Sequence, residues 1–239
     1  YPIKIPEFKN GKLSVQKVIK TLDNILSTAY GTADSPITIH LNNRTSHIVD
    51  KPLQMVDYVK LKGGGSGQTT LEMNPIGGKI LIFKNVSGAD IDSLTLKGGN
   101  SDFGSAAFIR NSSPKFTDVN FKENQSEKGG AVFIMDGSPE FNNTTFSDNS
   151  AIMGGGMYSN SSTLVIRETI FENNTVDSDD NQSKKGGGIY SYNSNFTLEN
   201  DTIRFNSSSG FNSEGGGIFI DSPDSPDDRD GENTYIIQN

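Results

Sequence analysis

A glycine-rich segment that recurs through the second half of the chain constrains the fold more than any other feature. Four copies begin at Gly129, Gly154, Gly186 and Gly215, and a weaker copy begins at Gly104. Successive copies are 25, 25, 32 and 29 residues apart, and each ends in an aliphatic and then an aromatic residue. A repeated unit of this length buries its apolar side chains only against neighbouring units. The recurrence therefore predicts a solenoid.

Two further segments recur with the same period. One is a Phe-x-x-Asn motif, and the other is an apolar residue five positions before each phenylalanine of that motif. Each repeat thus has three short apolar stretches separated by turn-forming residues, which is typical of a triangular coil with three strands. The pattern predicts an all-β fold, a parallel β-helix. The motifs are Phe121–Asn124, Phe146–Asn149 and Phe171–Asn174, preceded by Phe116, Phe141 and Ile166.

Equivalent residues of successive coils form columns with a spacing of about 4.8 Å. Because adjacent residues of a strand point to opposite faces, an aliphatic column and the aromatic column next to it cannot both face the core. We favour the aliphatic column inside and an aromatic ladder outside, and the reverse packing stays open. The small column is Ala106, Ala131, Gly156, Gly188 and Gly217; the aliphatic one is Ala107, Val132, Met157, Ile189 and Ile218; the aromatic one is Phe108, Phe133, Tyr158, Tyr190 and Phe219.

The asparagine of Phe-x-x-Asn also recurs in register. Amides stacked in this way satisfy backbone groups at the corner of each coil. The motif therefore predicts a structural amide ladder through Asn124, Asn149 and Asn174. Glycines ahead of each strand allow the chain to bend sharply at another corner.

The chain divides into four predicted parts. Residues 1–13 form an arm that Pro2 and Pro6 hold extended. Residues 14–30 form an amphipathic helix that caps the first coil, with apolar residues on one face between Ser14 and Ala29. Residues 31–220 form the β-helix, and residues 221–239 form an acidic loop and a C-terminal strand.

Charge and composition exclude several classes of function. A net charge of −8 opposes binding to nucleic acid. No apolar run approaches the length of about 20 residues that spans a bilayer. The absence of cysteine excludes disulfides, thiolate catalysis and cysteine-bound metal. No signal peptide is visible at Tyr1, so the chain is either cytosolic or has lost its leader.

Asn-x-Ser/Thr sequons, far more frequent than chance placement predicts, decide between these compartments. Part of the clustering follows from the shared turn preference of Asn, Ser and Thr. The density nevertheless indicates a secreted, extracellular or cell-surface protein that carries N-linked glycans and no cofactor. Asn124 is the least favoured sequon because it also belongs to the ladder. The sequons are at Asn43, Asn85, Asn111, Asn124, Asn142, Asn143, Asn160, Asn173, Asn181, Asn195, Asn200 and Asn206.

The pairing of Gly-Gly-Ala/Gly-aliphatic with Phe-x-x-Asn resembles the repeats of the chlamydial-type polymorphic membrane proteins. More broadly, it resembles the pectate-lyase-like right-handed β-helix superfamily. The resemblance covers about residues 95–220. It implies a right-handed parallel β-helix at a cell surface, often adhesive. The last coil, at Thr202–Asn206, departs from the motif, and nothing resembles a translocator barrel.

Many members of that superfamily cleave polysaccharides, a chemistry that requires calcium-binding carboxylates or a carboxylate pair. The carboxylates of the regular coils are scattered among turns. We therefore predict that the chain is not an enzyme and has no catalytic or metal-binding residue. Two pairs are the best candidates for neighbours across coils. The pairs are Asp118 with Glu140 and Asp148 with Glu172, and the other residues considered and rejected are His40, His47, Asp227, Asp228 and Asp230.

The predicted function is structural, as a subunit of an extracellular fibre or coat that assembles head to tail. The N-terminal arm alternates apolar and polar residues, and an uncapped last coil invites pairing with another molecule. One alternative is an adhesin that binds cell-surface glycans or proteins along its flank, which a C-terminal self-cap would favour. The second alternative is a polysaccharide lyase or glycoside hydrolase. The predicted assembly residues are Tyr1, Ile3, Ile5, Phe8, Tyr235, Ile236 and Ile237.

Overall fold

The computed structural model describes residues 15–41, 45–177, 183–210, 212–222 and 235–238. Within those ranges the chain forms one α-helix followed by 25 short strands. In chain order they are α1 (Val15–Thr28), β1 (Ile37–His40), β2 (Thr45–Val49), β3 (Leu53–Gln54), β4 (Val59–Lys62), β5 (Thr69–Met73), β6 (Leu81–Lys84), β7 (Asp90–Lys97), β8 (Asn100–Phe103), β9 (Ala107–Arg110), β10 (Lys115–Lys122), β11 (Gln125–Lys128), β12 (Val132–Met135), β13 (Glu140–Asn142), β14 (Thr145–Ser147), β15 (Ser150–Ala151), β16 (Met157–Asn160), β17 (Thr163–Arg167), β18 (Ile170–Glu172), β19 (Thr175–Val176), β20 (Ile189–Tyr192), β21 (Asn195–Glu199), β22 (Thr202–Arg204), β23 (Ser207–Ser208), β24 (Ile218–Asp221) and β25 (Tyr235–Gln238).

Strands of successive coils pair in parallel and build three sheets, which confirms the parallel β-helix. Val132, for example, lies opposite Ala107 of the preceding coil and Met157 of the following one. Sheet I contains β1, β2, β4, β5, β7, β10, β13, β14, β17, β18, β21, β22 and β25; Sheet II contains β8, β11, β15, β19 and β23; Sheet III contains β3, β6, β9, β12, β16, β20 and β24.

Sheet I is bent along a line of residues whose backbone is left-handed. In β10 the bend falls at Asp118, with φ of 52°, and in the next coil Asn143, with φ of 50°, separates β13 from β14. Each regular coil therefore has four strand segments, one more than the triangular coil expected from the sequence. The missed segment lies in Sheet II, where inward positions such as Ser126 carry no apolar signal.

Two columns of phenylalanine rings fill the core behind Sheet I. Phe116 and Phe141 stack with their centroids 5.1 Å apart. In the second column the centroids of Phe121, Phe146 and Phe171 are 4.4 and 4.3 Å apart. All five side chains are fully buried. Each stacked pair contributes about 0.5–1.5 kcal/mol beyond the burial of its area.

Pairs of glycines turn the chain from Sheet II into Sheet III. Gly129 has φ of 64°, and a Cβ there would lie 2.1 Å from the Val132 carbonyl oxygen. A Cβ on Gly130 would lie 2.1 Å from the carbonyl oxygen of Gly155 in the next coil. The recurring glycines therefore provide the predicted bend and also allow close approach of successive coils.

The predicted helix closes the N-terminal end of the solenoid. It packs against β2 and β3, with Leu22 and Leu26 fully buried. At the other end β25 pairs in parallel with β21, where Tyr235 lies opposite Phe196. The pairing adds a strand to Sheet I, whereas β24, in the coil end at Gly215–Ile220, has no strand beyond it among the described residues. The predicted arm at residues 1–13 and the acidic segment at 223–234 lie outside the described residues.

Candidate functional site

The aromatic column lies on the outer face of Sheet III, as favoured from the sequence. Val132 and Ile134 point into the core, and Phe133 between them points outward. The rings of successive coils are nearly parallel, with interplanar angles of 6 to 14°. The centroid distances are 5.5 Å for Phe108–Phe133, 5.2 Å for Phe133–Tyr158, 4.9 Å for Tyr158–Tyr190 and 5.7 Å for Tyr190–Phe219.

Side chains on both sides of the ladder cover its central rings. Phe133 and Tyr190 are each only 5% exposed. The covering side chains are themselves partly exposed and include Phe103, Met135, Met153 and Tyr192. The Tyr190 hydroxyl donates a hydrogen bond of 2.8 Å to Asp221, and burial together with this bond raises the pKa of Tyr190 far above its ordinary value. The outer face is thus a continuous, ordered apolar surface.

Lysines lie over the ladder on the side of the glycine corner. The Lys185 ammonium lies 4.3 Å from the Phe219 centroid, Lys128 lies 5.5 Å from Tyr158, and Lys79 lies 5.9 Å from Phe108. These distances are in the range of cation–π attraction. Burial lowers the pKa of Lys79, and the charge of Asp102 offsets part of that effect.

The opposite margin of the ladder also carries cations. Lys84 and Arg110 lie directly opposite each other on β6 and β9, and both are exposed. Like charges in this position repel each other. Among the described residues no carboxylate lies within 4.0 Å of Lys79, Lys84, Arg110 or Lys128. We call this outer face of Sheet III, with those four cations and Lys185, the cationic flank.

Sheet I shows the opposite electrostatic pattern, because its cations pair with carboxylates across coils. Lys115 lies 2.9 Å from Glu140, and Arg167 lies 2.7 Å from Glu199. Burial alone would raise the pKa of Asp92, but hydrogen bonds from Lys60, Ser93 and Lys62 bring it down to about 2. Among the described residues, the cationic flank thus holds four cations without a carboxylate partner, whereas its fifth cation, Lys185, lies 3.3 Å from Glu214. Such a surface is suited to an elongated anionic ligand.

These cations were not predicted from the sequence, because they do not recur in every coil. Lys128 and Lys185 occupy the position just before the glycine pair in their repeats, and Arg110 follows the aromatic column by two residues. The columns are nevertheless mixed, since Lys128 and Lys185 share theirs with Met153 and Glu214, and Arg110 shares its column with Met135 and Asp221.

A groove of about 510 Å³ lies on Sheet II, across the glycine corner from the cationic flank. One row of its lining is Asn100, Gln125 and Ser150, and Asp102 and Glu127 lie beside it. Ile76, 93% exposed, lies at its edge. Within the part of the chain that the structure describes, no three His, Asp or Glu side chains are placed to hold a metal ion.

The carboxylate pairs considered from the sequence are not brought together as functional pairs. Glu140 binds Lys115, and Asp118 accepts a hydrogen bond of 2.9 Å from Ser66. Glu172 binds Arg204 and lies opposite Ser147 rather than Asp148. Of the histidines, His40 is an exposed residue of β1 and His47 a buried residue of β2. Asp227, Asp228 and Asp230 lie outside the described residues.

The amide ladder has the predicted form and extends to Asn206. Asn124 donates through Nδ2 to Asn149 Oδ1 at 3.0 Å, Asn149 to Asn174 at 2.9 Å, and Asn174 to Asn206 at 2.8 Å. Each Nδ2 also donates to a backbone carbonyl; for Asn149 this is the carbonyl of Phe121, at 2.9 Å. The ladder therefore satisfies backbone groups at this corner of each coil.

The sequons fall into distinct structural positions. Asn124 and Asn206 belong to the ladder. Three lie half-buried in strands, and five are exposed at corners with left-handed backbone. The strand sequons are Asn142, Asn160 and Asn195, and the corner sequons are Asn85, Asn111, Asn143, Asn173 and Asn200. The remaining two sequons, Asn43 and Asn181, lie outside the described residues.

The predicted assembly residues fall at the two ends of the chain. Those of the C-terminal strand, Tyr235, Ile236 and Ile237, belong to β25, and those of the N-terminal arm, Tyr1, Ile3, Ile5 and Phe8, lie outside the described residues.

Residues 65–224 match the family model of the right-handed β-helix region, and the chain therefore belongs to that family. No curated protein matches the sequence. The repeats of the chlamydial-type polymorphic membrane proteins are not found among these matches, so that finer resemblance is not shown. No helix in the described ranges is long and apolar enough to cross a membrane.

Solved structures share the path of the chain at low identity. A Parabacteroides merdae protein proposed to be a glycosyl hydrolase is 10% identical, with a TM-score of 0.41, over 96% of this chain and 91% of that one. Pectin methylesterase from Yersinia enterocolitica is 11% identical, with a TM-score of 0.42, over 89% and 93%. The Erwinia chrysanthemi pectin methylesterase is 12% identical, with a TM-score of 0.42, over 88% and 87%.

These structures correct the prediction that the chain is not an enzyme. That prediction is contradicted, because the solved structures similar to this chain include pectin methylesterases. The likeness shows the fold alone and transfers no activity to this chain.

Proposed function

We propose that this protein is an extracellular β-helix that binds a linear acidic polysaccharide along the cationic flank. The observation that carries the proposal is the position of the unpaired cations, with Lys84 and Arg110 on one margin of the aromatic ladder and Lys79 and Lys128 on the other. A polyanion lying along the ladder would neutralise both margins. It would also relieve the repulsion between Lys84 and Arg110.

The dimensions of the flank suit a polymer rather than a small molecule. The seven strands of Sheet III, spaced about 4.8 Å apart, present a surface about 29 Å long. The partly exposed apolar groups along it, Phe108, Met135, Tyr192 and Phe219, offer contacts to the C–H faces of sugar rings. The carboxylates of a uronic acid polymer would pair with the cations beside them.

The C-terminal strand occupies only one edge of the last coil. Tyr235–Gln238 pairs with β21 of its own chain, whereas β22, β23 and β24 are the last described strands of their segments. Secretion and head-to-tail self-association stay predictions.

Binding to polygalacturonate, measured by isothermal titration with neutral dextran as the reference polymer, tests the proposal. We expect binding to polygalacturonate only, and weaker binding at higher ionic strength because salt screens exposed charges. The double variant Lys84→Ala/Arg110→Ala should weaken binding at least fivefold. The matched control, Lys115→Ala/Lys122→Ala, removes the same charge from Sheet I and should change affinity less than twofold.

Two outcomes would contradict this function. Equal losses in the two double variants would show that only net charge matters, and no binding by the unmodified chain would remove the function altogether. The same mixtures are also followed for new reducing ends, unsaturated products and released methanol, which report directly whether bound polymer is chemically altered.

A further inference from the structure

The corners of the coils hold residues in a backbone conformation that selects asparagine and aspartate. Among the described residues, sixteen that are not glycine have φ between 44 and 58°. Asparagine and aspartate tolerate this left-handed region better than other side chains. Corner residues stack in columns, one of which contains Asp118, Asn143, Glu168 and Asn200.

Five sequon asparagines occupy such corners, where the backbone turns outward between two strand segments. All five are exposed. The side-chain amides of Asn85, Asn143, Asn173 and Asn200 donate no hydrogen bond within the described part of the chain. Asn111 donates one amide hydrogen to Asn85 Oδ1 at 3.0 Å, and its other hydrogen is unused. An N-linked sugar replaces one amide hydrogen, which every corner asparagine can give up.

Asn124 has the same sequon and the opposite environment. It is 1% exposed, and its Nδ2 donates to the Leu96 carbonyl at 3.1 Å and to Asn149 Oδ1 at 3.0 Å. Both amide hydrogens are therefore used inside the coil. A sugar on this nitrogen would break at least one of these bonds and would have no space beside the core.

We propose that the corner asparagines Asn85, Asn111, Asn143, Asn173 and Asn200 are N-glycosylation sites and that Asn124 is unmodified in the folded protein. Asn206, at the end of the ladder, uses one amide hydrogen and forms no part of this assignment. Chains that receive a sugar at Asn124 before folding cannot complete the ladder, so folding itself removes them from the secreted pool. The assignment does not rest on the polysaccharide function, but Asn85 and Asn111 directly follow Lys84 and Arg110, so glycans on them would lie beside that margin of the cationic flank.

Aspartates in the same corner columns provide gain-of-site variants. Asp148 precedes Asn149 and Ser150, so Asp148→Asn creates a sequon in the column of Asn173. Asp136 precedes Gly137 and Ser138, so Asp136→Asn creates one in the column of Asn111. Both positions are exposed and left-handed, and asparagine is already accepted one coil away. Asp148→Gln removes the same charge without creating a sequon and is the matched control.

The full chain is secreted from cultured eukaryotic cells, its N-glycans are removed enzymatically in heavy-oxygen water, and peptides are analysed by mass spectrometry. We expect the asparagine-to-aspartate label at the five corner sites and none at Asn124. Each gain-of-site variant should add one glycan, and Asp148→Gln should add none. A labelled Asn124 in folded protein, unlabelled corners, or secreted gain-of-site variants without an added glycan would overturn the assignment. Polygalacturonate binding by the deglycosylated protein is scored separately, so failure of one proposal leaves the other intact.

Discussion

Truncating a central rung of the amide ladder should be among the most destabilising substitutions in this protein. The Asn149 side chain makes four hydrogen bonds, donating to Phe121 and Asn174 and accepting from the backbone and side chain of Asn124. Asn149 and the groups it binds on Asn124 are buried, so Asn149→Ala leaves donors and acceptors unpaired away from water. Each hydrogen bond contributes about 0.5–1.5 kcal/mol net, and each buried group left without a partner adds a further cost. We therefore expect Asn149→Ala to lower the free energy of unfolding by about 3–6 kcal/mol.

Asn206→Ala is the matched control, because Asn206 has the same role at the end of the ladder. It makes three side-chain bonds, and it is only half-buried, so water can replace part of them. We expect a loss of about 1–2 kcal/mol. Urea unfolding followed by circular dichroism at pH 7 measures both variants. A loss below about 1 kcal/mol for Asn149→Ala, or one no larger than that of Asn206→Ala, would refute the argument from buried hydrogen bonds.

Three further substitutions test other features of the coil. Ser159→Ala should stabilise the protein by about 1 kcal/mol, because the Ser159 hydroxyl is buried without a partner; thermal unfolding should show a higher midpoint, and a lower one would contradict this. Gly129→Ala should lower the free energy of unfolding by at least about 2 kcal/mol, because the backbone of Gly129 is left-handed and a Cβ there would clash with the Val132 carbonyl. An unchanged midpoint of urea unfolding would be inconsistent with this corner geometry. Asp92→Asn should cost about 2 kcal/mol at pH 7, because the pKa of Asp92 is about 2 in the folded protein and about 3.9 in an unfolded chain. That stability is present above pH 4–5 and is lost as pH falls towards about 2, so the difference between Asp92→Asn and the unmodified chain should vanish in acid.

The sequence predicted the repeating features well because identical environments select identical residues. The glycine corners, the phenylalanine columns and the ladder each recur at one position per coil, and periodicity reveals them without any alignment. Sheet II was missed because most of its inward positions are small or polar, as at Ser126 and Ala151, so apolar residues do not recur there in every coil.

The candidate site was harder to predict because its cations lie on different elements. Lys84 and Arg110 are 26 positions apart in the chain and become neighbours only through the register of β6 and β9. That these cations are unpaired is also a property of the fold, since it depends on where the carboxylates of other strands are placed. Sequence spacing alone could not separate the paired lysines of Sheet I from the unpaired ones of Sheet III.

The amide ladder also has a direction. Asn124, Asn149 and Asn174 each donate one Nδ2 hydrogen to the Oδ1 of the next asparagine of the ladder along the chain. If a block of 25 residues were duplicated between two regular coils, its ladder asparagine would donate to the Oδ1 of the next coil and accept from the Nδ2 of the preceding coil. The solenoid can therefore lengthen by simple tandem duplication. Two N-terminal coil ends would instead set Oδ1 against Oδ1, and two C-terminal ends would set one amide N–H against another. Growth and shortening of such a chain over evolutionary time are therefore constrained to whole coils in one orientation.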